Sequence, residues 1–232
     1  MTSKPKGAIL DWSLPERFRV HRLPEKLAAN GWRTLLQFWG NLINNYSFYD
    51  RDTIESDVPY WYGERPLTGL LAAAAWMMPD GWSLEEFSTV RGEGKKSGRG
   101  RGDLWIGWGK TTYTIEAKIS WCADGPGEAH RDILKKIRRA ADQLVTLKAE
   151  YAPGTKIALC YAVPYFIPST STDCDKDANR FFKALTASFT GPDCILASYH
   201  HPKPPTDPED RQKHIYPGVL LVGKVQESGE AG

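Results

Sequence analysis

Residues Asp103–Trp121 read DLWIGWGKTTYTIEAKISW, and the fold turns on how this stretch alternates. Gly109-Lys110-Thr111 forms a tight turn between two strand-like runs, Asp103–Trp108 and Thr112–Trp121. Side chains along a strand point alternately to its two faces. Tyr113, Ile115, Ala117 and Ile119 therefore share one face, and Thr114, Glu116, Lys118 and Ser120 share the other. The turn makes the two runs antiparallel neighbours, which brings Asp103 toward Glu116 and Lys118. Two carboxylates and an ammonium can then converge on one point. A plainer reading stands beside this one. Glu116 and Lys118 would be the solvent face of an amphipathic strand, and Asp103 a turn residue.

Upstream, a helix is expected to begin at Glu64, with Pro66 in its first turn. Leu67, Leu70, Leu71, Ala74 and Met78 form its apolar stripe, and Pro79-Asp80-Gly81 ends it. A strand over residues 86–91 and a glycine-rich basic loop, Arg91–Gly102, lead into the quoted stretch. Downstream, residues 128–151 read as a helix that buries Ile133, Ile137, Ala140, Ala141, Leu144 and Val145. Arg131, Lys135, Lys136, Arg138 and Arg139 crowd its other side. A strand over Lys156–Phe166, a helix over 175–188 and strands at Cys194–Tyr199 and Tyr216–Val225 follow. At the N-terminus an arm broken by Pro5, Pro15 and Pro24 precedes a helix over Glu25–Tyr46, which Gly31 and Gly40 weaken. This order predicts an α/β fold, a central mixed sheet flanked by helices. A single domain over 1–232 is expected. It divides into an N-terminal arm and helix (1–60), a core (61–168) and a C-terminal extension of the sheet (169–232) with a polar loop at 200–213.

Composition narrows the function classes. Of 232 residues, 41% are hydrophobic and 25% charged, which is globular usage. The longest weakly polar run, Leu70–Met78, falls far short of the ~18 residues of a membrane span. The first residues, MTSKPKGAILDWSLPERF, lack the long apolar core of a secretory signal. Cys122, Cys160, Cys174 and Cys194 form no CxxC pair, which favours a reducing cytoplasm over a disulfide scaffold or zinc knuckle. Net charge is only +2, but it is unevenly placed. Residues 91–150 carry 13 basic and 8 acidic side chains, a balance of +5, against −2 before them and −1 after. Local charge sets the field that a polyanion meets.

Asp103 and the pair Glu116/Lys118 suit a hard cation. Mg²⁺ takes oxygen ligands and is held by one or two carboxylates plus substrate phosphate. A lysine beside it can orient or deprotonate a water. The chain contains two acid-x-Lys triplets, Glu93-Gly94-Lys95 and Glu116-Ala117-Lys118. Of these, the second lies in a strand-like run behind an upstream Asp and a helix Glu. Asp103 followed by Glu116-Ala117-Lys118 resembles the motif of the PD-(D/E)XK nuclease superfamily. The expected helix, meander, helix and strand from Glu64 to Phe166 are similar to that family's restriction-endonuclease-like core. The resemblance covers about 100 residues. Gly102 stands where the family often has proline. Gln143 lies in the following helix, but Leu147 departs from the Gln-x-x-x-Tyr of one exonuclease-like branch.

The resemblance implies that Asp103 and Glu116 ligate a metal with the Ala117 carbonyl, that Lys118 positions the attacking water, and that Glu64 completes the site. The implied cofactor is Mg²⁺, with Mn²⁺ as substitute. The implied activity is cleavage of DNA by an endonuclease of restriction, defence or repair type, with a homodimer or a specificity-supplying partner and no membrane. Lys95, Lys96, Arg99 and Arg101 in the basic loop, and Arg131, Lys135, Arg138 and Arg139 on the helix, are the nucleic-acid contacts expected from charge. Plainer readings remain for several residues. The helix dipole favours Glu64 in a first turn, and a charge run is often a solvated face. Trp105, Trp108 and Trp121 either stack on bases or pack the core. The rival functions are a catalytically inactive nucleic-acid-binding module on this fold and a protein-interaction module.

Overall fold

The computed structural model describes residues 18–46, 57–92, 98–123, 125–148, 150, 153–166, 174–201 and 214–226. The elements are β1 (Phe18–Arg22), α1 (Glu25–Ala29), α2 (Trp32–Tyr46), α3 (Glu64–Trp76), β2 (Trp82–Arg91), β3 (Gly98–Trp108) and β4 (Thr111–Cys122). After them come α4 (Pro126–Val145), β5 (Thr155–Pro164), α5 (Cys174–Ser188), β6 (Cys194–His200) and β7 (Gly218–Gln226). The seven strands form one mixed sheet in the order β1-β6-β7-β5-β4-β3-β2. β4 and β5 are parallel neighbours, joined by the 20-residue helix α4. Such a pair needs a long crossover. The other neighbours are antiparallel.

Helices cover both faces. On one, Trp32, Trp39, Leu67 and Leu71 of α2 and α3 bury Ile106, Tyr113, Ile115 and Leu159. On the other, Ile133, Ile137 and Leu144 of α4 and Phe181 and Phe182 of α5 bury Ala158, Cys160, Leu196 and Val222. The expected alternation of β4 is thereby present, since Tyr113, Ile115 and Ala117 all lie in the first core. The N-terminal side is tight as well. A Cβ on Gly40 would lie 2.4 Å from the Phe18 ring, so α2 and β1 touch through that glycine. Gly40→Ala is expected to cost about 1–3 kcal/mol by pushing β1 off α2, read as a lower urea midpoint. An unchanged midpoint would refute that contact.

Several boundaries differ from expectation. The helix expected over Glu25–Tyr46 breaks at Asn30-Gly31, where Gly31 takes a left-handed φ of 87°. The N-terminal arm contains a strand, β1, which pairs with β6 at the sheet edge. The second half of the expected basic loop is strand: Gly98–Gly102 pairs with Phe87–Arg91. Helix α4 stops at Val145, whose side chain is exposed rather than buried. Leu147 instead bridges to Arg91 of β2. Residues 202–213 of the expected polar loop lie outside the described residues. Among the described residues no helix is long and apolar enough to cross a membrane.

Candidate active site

The β3–β4 ladder runs from Trp108↔Thr111 to Leu104↔Ile115 and ends there. Beyond that point β3 remains paired to β2 as far as Gly98, and β4 remains paired to β5 as far as Cys122. The two strands thus fork. One step past the last pair, the register sets Asp103 across from Glu116, on a shared face. With the ladder ended, the Ala117 amide donates to Asp103 Oδ2 at 2.9 Å. Lys118 Nζ donates to the same oxygen at 3.3 Å and lies 3.8 Å from Glu116 Oε2. It also donates to the Ala117 carbonyl. The fork therefore collects the four motif residues that the sequence singled out.

The solvent-face reading of Glu116 fails here. Glu116 is 1% exposed, and Thr114 and Ser120 beside it are buried too. Ser120 Oγ donates to Asp132 Oδ2 on α4, which ties that face of β4 to the helix. Burial pushes the Glu116 carboxyl from its ordinary 4.5 up to about 7; the nearby Asp103 carboxylate adds to this, and Arg91 opposes it. The folded chain therefore holds this proton more tightly than the unfolded chain. The corresponding stability is fully present below pH 4.5 and is lost as pH rises through about 7. Wild type should lose stability relative to Glu116→Gln over that interval, by a few kcal/mol at most. Urea unfolding of both proteins at several pH values checks this. A difference that does not vary with pH would contradict it.

Glu64 opens α3, as expected. Its carboxyl is raised chiefly by burial, against the pull of Lys118 and with a push from Asp103 and Glu86. Its field thus reaches the fork from the α3 side. Among the described residues, no three His, Cys, Asp or Glu side chains form a group able to hold a metal.

The basic candidates are spread around the fork rather than gathered in it. Arg99 and Arg101 lie exposed on β3, and Arg101 pairs with Glu86 at 3.5 Å. Arg131, Lys135, Arg138 and Arg139 lie exposed along α4, with Arg131 paired to Glu128 at 3.2 Å. Lys95 and Lys96 lie outside the described residues. A cleft of about 400 Å³ where β4 meets α4 is lined by Trp121, Cys122, Glu128, Arg131, Asp132 and Lys135. Of the tryptophans, Trp108 is a packing residue. It is buried, lies 4.9 Å from the Tyr113 ring and donates Nε1 to the Asn30 carbonyl. Trp105 packs against Trp82 at 4.8 Å, and Trp121 is substantially exposed.

Two residues at the fork went unread in the sequence. Arg91, the last residue of β2, pairs through Nη2 with Glu116 Oε1. Glu86 takes a left-handed φ of 49°, unusual for a residue with a side chain, opposite the place where β3 leaves the ladder. The signal for Arg91 was the spacing of glycines after it. A Cβ on Gly100 would meet the Arg91 stem at 2.8 Å, so that glycine leaves the lane in which the arginine lies.

Comparison with protein-family models, curated proteins and solved structures gives no match for this chain.

Proposed function

We propose that the fork is the catalytic centre of a Mg²⁺-dependent phosphodiesterase that cleaves DNA, an endonuclease of restriction, defence or repair type acting in the cytoplasm. The observation that carries this is the parting of β3 and β4 at Asp103 and Glu116, which turns two carboxylates, the Ala117 peptide and Lys118 toward one place. The order of α3, the β2–β3–β4 meander, α4 and the parallel strand β5 supports a restriction-endonuclease-like core around it.

The donor set suits Mg²⁺. It consists of oxygens, and the ion needs no more than one or two carboxylates if waters and a phosphate fill the remaining positions. Asp103, Glu116 and the Ala117 carbonyl would hold it, with Glu64 assisting from α3. When bound, the metal lowers the pKa of a coordinated water and neutralises charge on the phosphoryl oxygens. Lys118, kept in place by Asp103, orients the attacking water in line with the phosphorus. Arg131 and Lys135, at the cleft beside β4, would take the flanking phosphates. A homodimer or a partner protein would serve double-strand cutting or specificity.

The test is incubation of supercoiled plasmid and single-stranded DNA with the protein in Mg²⁺ or Mn²⁺, against chelator. Metal-dependent strand scission is the expected result. Salt-sensitive DNA binding with no scission in either metal would replace this reading with the catalytically inactive binding module. One observation favours that second reading: both oxygens of Glu116 already face cationic side chains, Arg91 and Lys118.

A further inference from the structure

Arg91 occupies Glu116 from outside the motif. Its Nη2 donates to Glu116 Oε1 and to the Arg101 carbonyl, and its Nη1 donates to the Gln143 carbonyl at 3.0 Å, near the end of α4. The same junction is closed by two backbone bonds. The Gly92 amide donates to the Thr146 carbonyl at 3.0 Å, and the Lys148 amide to the Val90 carbonyl at 3.2 Å. Past the fork the β2–β3 ribbon is therefore fastened to the end of α4, and Arg91 is the fastening that also touches the site.

Oxygens available to a cation are scarce. Glu116 Oε1 is taken by Arg91, and Glu116 Oε2 and Asp103 Oδ2 face Lys118. Glu116 is buried, so a cation reaching it must replace a partner rather than add to a solvated carboxylate. Lys118 sits on the same strand and face as Glu116 and is also held by Asp103. Arg91 stands on a different strand, at the end of β2, and reaches Glu116 across the ribbon.

Taking the fork as a metal site, we infer that Arg91 and a divalent cation are mutually exclusive partners of Glu116, so that cation binding releases Arg91 and loosens the β2–β3 ribbon from the end of α4. The freed guanidinium, five fixed donors on a planar group, is then available to a phosphodiester beside the metal. Arg91 thus couples cation occupancy to the fastening of the β2–β3 ribbon on the end of α4.

The test is calorimetric titration of the full chain with Mn²⁺, using wild type, Arg91→Gln, Gly100→Ala and Glu116→Gln. Arg91→Gln should bind Mn²⁺ about tenfold more tightly than wild type, a gain of about 1.4 kcal/mol. Gly100→Ala keeps every charge but crowds the arginine out of its lane, and it should shift affinity the same way. Glu116→Gln should lose the binding. In wild type, Mn²⁺ should speed hydrogen exchange at the Gly92 and Lys148 amides. If Arg91→Gln fails to fold, Gly100→Ala and the wild-type exchange decide the matter. Equal affinity in wild type and the two ribbon variants, with unchanged exchange, overturns the exclusivity and leaves the metal site standing. Absence of Mn²⁺ binding in every protein overturns the metal reading as well.

Discussion

Asp103→Asn is expected to lower metal-dependent DNA cleavage by roughly 10²–10⁴-fold while the protein stays folded. Asp103 has three tasks at the fork. Its Oδ2 accepts the Ala117 amide and holds Lys118 at 3.3 Å, and in the proposed function its charge would also serve a cation. Asparagine preserves an acceptor for the amide, so the strand parting survives. It removes the charge, so Lys118 loses its anchor and, in the proposed function, the cation would lose a ligand. Lys118→Ala provides the informative contrast. It should cut cleavage to a similar degree while Mn²⁺ binding is kept, because in the proposed function the lysine would serve the water and not the metal. Gel-based rates with calorimetry on the same preparations check both. Cleavage by Asp103→Asn within about threefold of wild type would remove Asp103 from the site.

The second large effect concerns the scaffold. Trp39→Ala should cost about 3–5 kcal/mol, the usual range for a buried aromatic truncated in a core. Trp39 is fully buried in α2. It stacks on Tyr161 of β5 at 6.1 Å and meets Phe18 of β1 edge-on at 6.4 Å. Its Nε1 donates to the Leu67 carbonyl in α3, the helix that Glu64 begins. Removing the ring leaves a cavity among four elements. Urea unfolding measures the loss, and a cost below about 1 kcal/mol would mean that the site closes up or that the ring is not central.

What the sequence made legible follows from which forces are local. Alternation in Tyr113–Ser120 reads directly, because the pleat sets it residue by residue. The start of α3 at Glu64 reads from Pro66 and the apolar spacing. The fork does not. Alternation says which face a side chain takes, but not where one ladder ends and another continues, and that depends on β2 and β5 competing for β3 and β4. Burial of Glu116 was equally hidden, since a polar face looks solvated until α4 covers it. Arg91 was hard to read for a related reason. Its partner is 25 residues away, and glycines alternating with arginines look like a loop until one of them is seen making room for the arginine stem. The edge strand β1 was masked by its composition, Phe-Arg-Val-His-Arg, in which the exposed Arg19, His21 and Arg22 outnumber the single buried residue, Phe18.

The most direct test of the fork as a metal-binding catalytic centre is anomalous scattering from crystals of the full chain grown with Mn²⁺. One peak at coordination distance, about 2 Å, from carboxylate oxygens of both Asp103 and Glu116 is the predicted result, with Arg91 displaced from Glu116. Crystals that diffract well, contain Mn²⁺ in the mother liquor and show no peak between these two side chains would contradict it.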